Sequence, residues 1–187
     1  MRSVLVIVSM VLSPAVTLAA KGPAADLGDQ GTFVPFGSVS LSYSTTGGVA
    51  TLGANLAPGM LYFVIDNLAV GGNVVLGVTK PENVDATTQL GIGPTVAYHV
   101  RFNQTLSLLP QGSLDFMRTS VGSTNATFTT LTLELFAPVL YRLGHFFVGV
   151  GPYLNADLYS SESRGNVSAS LDKTFAIGLR TIIGGWL

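Results

Sequence analysis

From residue 33 onward the chain alternates apolar and small polar residues with a period of two, as in Val39-Ser40-Leu41-Ser42-Tyr43-Ser44. That period places successive side chains on opposite faces of a strand. The polar face carries Ser, Thr, Gly and Asn, with few charges. A soluble barrel also alternates, but it turns the apolar face inward and shows charge to water. Here only 10% of residues are Asp, Glu, Lys or Arg, too few to coat a soluble surface of this size. The pattern therefore predicts the inverted arrangement: an all-β, eight-stranded antiparallel up-and-down transmembrane barrel, apolar residues toward lipid and small polar residues in the lumen. A soluble ligand-binding barrel is the alternative fold.

The amino terminus reads as an export signal. Met1-Arg2-Ser3 supplies a positive charge, Val4 to Leu12 an apolar stretch, and Pro14 to Ala20 a breaker followed by small residues. The apolar run falls short of the roughly 20 residues that a spanning helix needs, so cleavage is expected after Ala19 or Ala20. Residues 1–20 are thus assigned as a signal peptide, 21–32 as a short flexible lead-in and 33–187 as the barrel. Mean hydropathy is high, at +0.51, yet no run after the signal is long enough for a transmembrane helix. Alternation is how a chain crosses lipid without one. Cysteine is absent, which excludes disulfides and thiolate chemistry. The net charge of −1 and the lack of basic runs give nucleic acid no electrostatic footprint.

Eight strands are expected at about 33–45, 50–65, 69–79, 88–100, 105–118, 127–141, 146–159 and 173–187. The third alternates least cleanly. Connections after strands two, four and six are short; those after three, five and seven are longer and more polar, up to the 160–172 stretch. This asymmetry suits tight periplasmic turns and longer external loops. Tyr62, Tyr98 and Tyr141 recur at the short-turn end and are expected to form an interfacial girdle, rings in lipid and hydroxyls toward water. Pro58, Pro94, Pro110, Pro138 and Pro152 fall inside expected strands, where each removes a ladder donor and can mark a bulge.

Export signal, strand count, loop asymmetry and chain end together make the mature region resemble the small eight-stranded outer-membrane barrels of the OmpA, OmpX and OmpW type. The resemblance implies an outer-membrane location, contact with outer-membrane lipid, and insertion by the barrel assembly machinery. In that family the last strand usually finishes on Phe or Trp. Here Phe175, Ile177, Leu179 and Ile183 keep the alternation, Thr181 interrupts it, and Trp186 is penultimate.

Chemistry-bearing residues are sparse. The two histidines, His99 and His145, have no partner at metal-ligand spacing, and neither is followed by a serine suited to lipid deacylation. No cofactor, metal or catalytic site is assigned. Gly91-Ile-Gly93 and Gly149-Val-Gly151 are expected to make room for bulky lumen neighbours rather than to hold phosphate. Glu134 and Arg180 share inward parity and similar height, and an unpaired charge in so narrow a lumen is costly. An ion pair between them is expected, joined by Asp115 or His99, as structural packing or as a gate. The expected role is that of a monomeric, non-enzymatic structural or surface-interaction barrel. A narrow channel for small or hydrophobic solutes is the alternative, and a lipid-modifying enzyme trails both.

Overall fold

A computed structural model describes residues 6–8, 26–46, 49–82, 85–121, 126–164, 167–170 and 173–187. Apart from Val6–Val8, the expected signal peptide lies outside the described residues, as do residues 21–25 of the lead-in and residues 47–48 of the first turn.

Eight antiparallel strands close into a barrel, with no helix among the described residues. They are β1 Phe33–Thr46, β2 Val49–Ile65, β3 Leu68–Pro81 and β4 Thr87–Tyr98. β5 is split into Leu106–Leu108 and Gln111–Val121, and β6 into Ala126–Phe136 and Val139–Leu143. β7 is Phe146–Arg164 and β8 Phe175–Gly185. Each pairs with its chain neighbour, and β8 returns to β1 through Ile183↔Gly37 and Gly184↔Phe36. Phe33 and Leu187 exchange both backbone hydrogen bonds just below, at 3.2 and 3.0 Å.

One expectation holds despite a weak pattern, and one changes. Strand three, weakly patterned with Gly71-Gly72 at its centre, is a full strand paired on both sides. Its register comes from clean neighbours, not from its own alternation. The 160–172 stretch is not a loop from its start: β7 runs on to Arg164, and Val167–Ser170 folds back on Ser161–Arg164. Its Val167-Ser-Ala-Ser170 sequence keeps the period of two, so the ribbon continues past the barrel rim.

Pro110, Pro138 and Pro152 sit at or beside breaks in the pairing. β5 is interrupted at Leu109-Pro110 and β6 at Ala137-Pro138. Across these breaks each proline still accepts from a neighbouring strand: Tyr98 N–H donates to Pro110 O, Leu109 N–H to Pro138 O and Ala137 N–H to Pro152 O, at 2.9–3.1 Å. Pro110, Pro138 and Pro152 thus lie on adjoining strands along one line of broken register, serving as acceptors only.

The apolar parity faces outward. Leu52, Leu56 and Met60 on β2, Leu90, Ile92 and Val96 on β4, Leu133 and Leu135 on β6, and Val148 and Val150 on β7 are all exposed. Large apolar side chains on the outside far outnumber those inside. The buried apolar cluster is confined to the short-turn end, where Leu61, Phe63, Leu109, Leu140, Phe147 and Trp186 fill the lumen. Residues 26–32 of the lead-in cap this base. Leu27 and Thr32 are buried, Gly31 N–H donates to Phe63 O at 2.8 Å, and Asn67 N–H donates to Gly28 O at 2.7 Å. Gly28 holds φ +103°, a conformation that L side chains rarely adopt, and a Cβ there would strike the His99 ring.

Candidate functional site: the lumen and its base

Above the apolar base, inward positions turn polar. Ser38, Asn73, Thr95, Gln111, Ser113, Glu134 and Arg180 line a cleft of about 460 Å³, part of it open to solvent, floored by Phe36, Phe136 and Ile182. Arg180 Nη1 donates to Glu134 Oε1. The two residues belong to β6 and β8, separated by β7, where Gly151 is the register partner of Arg180 and a Cβ on it would strike the Ala137 carbonyl of β6. The guanidinium carbon sits 4.5 Å from the Tyr153 ring centroid and 5.6 Å from that of Phe136, so cation–π attraction adds to the ion pair. Tyr153 in turn lies across Gly178, its register partner, with ring carbons 2.7–3.0 Å from where a Cβ would stand. With its amide turned so that nitrogen rather than oxygen faces the carboxylate, Asn155 donates to Glu134 Oε2 at 3.0 Å.

Asp115 occupies the next level. It is buried, accepts from Ser113 Oγ at 2.5 Å, and sets its other carboxylate oxygen against Gly93. A Cβ on Gly91 would likewise stand only 2.9 Å from Met117 Cγ. Both glycines therefore leave space for large inward side chains. No ion pair joins Asp115 to Arg180 among the described residues. Thr132 Oγ1 donates to Asp157 Oδ1 at 2.8 Å on the far wall.

His99 is not part of this cluster. It follows the last residue of β4, beyond the level of Tyr98, and is buried in the base with an edge-on contact to Phe63 at 6.3 Å. Burial is the main cause that pushes its pKa down from 6.5 to about 4. The positive Arg142 and Arg101 nearby act the same way, while Asp26 and Asp29 oppose them. The ring is therefore neutral near pH 7, and neither of its nitrogens has a protein partner.

The base also holds a charged clamp that the sequence reading did not single out. Arg142 is nearly inaccessible. It donates to Asp26 Oδ1 at 2.7 Å, to Asn103 O at 2.8 Å and to Gln104 O at 2.7 Å. Arg101 meets the other Asp26 oxygen at 2.8 Å on the more exposed side. Parity offered a signal: Arg142 extends the inward row Thr132, Glu134, Leu140 of β6. Trp186 likewise continues the inward row of β8, and it is buried beside His145 with ring centroids 5.6 Å apart.

Tyr62, Tyr98 and Tyr141 are exposed at the base end of β2, β4 and β6, with the Phe33 ring tilted 42° against that of Tyr62 at 4.7 Å. Phe102 and Phe146 are exposed at the same end. No group of three or more His, Cys, Asp or Glu among the described residues is placed to hold a metal. No protein-family model and no curated protein matches this chain.

Proposed function

We propose that this protein is an integral barrel of the bacterial outer membrane, exported by a cleaved signal and inserted by the barrel assembly machinery. In this reading it has a structural or surface-interaction role and catalyses no reaction. The exposed apolar belt carries the reading. A water-facing barrel that turned Leu, Ile, Val and Phe outward on most of its strands would expose far more continuous apolar surface than soluble monomers tolerate. In hydrocarbon the same surface is the favourable one, and exposed Tyr62, Tyr98 and Tyr141 suit the membrane–water boundary. The strand-to-strand pairing around the barrel supports it as well, because it supplies most ladder hydrogen bonds without water.

A second reading, a narrow channel, draws on the polar cleft at Glu134 and Arg180. The buried side chains of Leu61, Phe63, Leu140 and Phe147 below it favour a lumen that ends blind. Membrane fractionation tests the main reading. The protein should stay with the outer membrane through high-salt and carbonate washes and leave only with detergent; extraction without detergent would defeat the proposal. In a planar bilayer the reconstituted barrel should be silent, whereas steady single-channel steps would favour the channel.

A further inference from the structure

Two cations on the outer wall of the barrel have no partner. Lys80 continues the outward row Leu76, Val78 of β3, and Arg118 the outward row Leu114, Phe116 of β5; both are exposed. Neither makes an ion pair or a hydrogen bond among the described residues. Arg101 and Arg142 in the base and Arg180 in the lumen are, by contrast, each paired with a carboxylate. The described outward residues of β3, β4 and β5 include no acidic side chain, and Glu82 and Asp85 lie beyond the end of β3.

The strand registers set the height of both cations. Arg118 is the partner of Leu90, eight residues up β4 from Tyr98, and Lys80 is the partner of Leu52, ten residues up β2 from Tyr62. With a rise of roughly 3.3 Å per residue and a tilt of about 40°, Lys80 and Arg118 stand about 20–25 Å above the tyrosines. That is close to the height of the apolar band of a membrane barrel, roughly 25 Å. The wall changes character at the same level. Ile92, Phe116 and Leu131 are register partners on β4, β5 and β6; two residues higher the row is Leu90, Arg118 and Thr129, and the next is Thr88, Ser120 and Thr127. The apolar wall thus gives way to hydroxyls and unpaired positive charge at one border.

We propose that Lys80 and Arg118, with the hydroxyls of Thr88 and Ser120, bind the phosphate groups of anionic outer-leaflet lipid whose acyl chains lie along Leu90, Ile92 and Phe116. The inference rests on the membrane reading above and names the lipid class that this reading leaves open. At such a border a lipid presents its phosphate level with the cations and its chains to the wall below, so one molecule satisfies both surfaces. Two strand spacings and four residues separate Lys80 from Arg118, roughly 16 Å between Cα atoms. One phosphate does not span that distance, so each cation takes its own.

The chain has no cysteine, so a single Leu90→Cys, next to Arg118 across the β4–β5 pair, carries a bimane fluorophore without background. The chain is refolded into phosphatidylcholine vesicles doped with phosphatidic acid or phosphatidylcholine, each spin-labelled on an acyl chain to quench the fluorophore. Phosphatidic acid should quench at an about two- to fivefold lower fraction than phosphatidylcholine, and the preference should shrink as salt is raised. Lys80→Gln and Arg118→Gln should each remove part of the preference, and the double variant should remove it. Equal quenching by the two lipids, or a preference that survives in the double variant, overturns the proposal. Inorganic phosphate exchanged for chloride at constant ionic strength should leave the quenching unchanged; displacement would mean a site for free phosphate and would overturn the lipid assignment. Flotation with phosphatidylcholine vesicles is scored separately. A chain that does not float defeats the membrane reading, whereas one that floats without a lipid preference defeats this inference alone.

Discussion

Replacing Arg142 with Ala should be among the most damaging single changes to this barrel. Its side chain is 4% exposed and makes three hydrogen bonds at the base, one to the Asp26 carboxylate and two to carbonyls of the Asn103–Gln104 turn. Breaking a buried ion pair from one side costs about 3–5 kcal/mol, and each hydrogen bond to a charged group contributes about 1.5–3 kcal/mol. Three facts reduce the sum. Asp26 keeps Arg101, the turn carbonyls can turn to water, and the Arg142 Nε–H is itself buried without a partner. A net loss of about 3 kcal/mol follows. Arg101→Ala removes the exposed half of the same clamp, at 45% side-chain exposure, and should cost no more than about 1 kcal/mol. Urea unfolding of the refolded barrel in micelles reads both, using the fluorescence of Trp186, the single tryptophan, which is buried in the base. The midpoint should fall for Arg142→Ala with an unchanged slope. If the two variants fell within about 1 kcal/mol of each other, the base would not be held by this clamp.

Other outcomes follow from the same geometry. Ile92→Lys, midway along β4 and outward, should destabilise the vesicle-inserted barrel by about 2–4 kcal/mol, against about 0–1 kcal/mol for Phe102→Lys in the base turn; equal effects in a folding titration would argue against a lipid belt. Glu134→Gln should cost about 1–2 kcal/mol by leaving Arg180 without its counter-ion, and a double-mutant cycle with Arg180→Met should return a coupling of about 1 kcal/mol. Acidification should weaken the base through His99. Its pKa is lowered on folding, so its stabilisation is complete above pH 6.5 and fades as pH falls from there toward about 4. The loss should reach about 3 kcal/mol at most, and His99→Gln should flatten that part of a pH–stability profile measured by urea unfolding.

The barrel was legible because its signal repeats. Leu90, Ile92, Val96 and Tyr98 keep outward parity on β4, and the equivalent rows do so on most other strands, so strand number and facing follow from periodicity alone. β3 and the Val167–Ser170 ribbon were less legible because their pairing is imposed by neighbours, which a single segment does not encode. Of the lumen residues, Glu134 and Arg180 could be matched by parity and height, since a narrow lumen forces opposite charges together. His99 has the same parity but stands lower, in the base. Height along a tilted strand depends on the stagger between strands, and sequence does not print it. Asp26 was the hardest to place. It lies in a segment without periodicity, and its position depends on Gly28 at φ +103° and on turns that bring it under Arg142.

Collision measurements on single spin labels would test most directly whether the apolar belt faces hydrocarbon. Labels at Ile92, Leu133 and Val150 in the reconstituted, otherwise cysteine-free barrel should collide readily with molecular oxygen and hardly at all with a nickel chelate. A label at Gln104 in the exposed base turn should show the reverse. Nickel-chelate collisions at Ile92, Leu133 and Val150 as frequent as those at Gln104 would mean that this surface meets water, and the membrane assignment would fall.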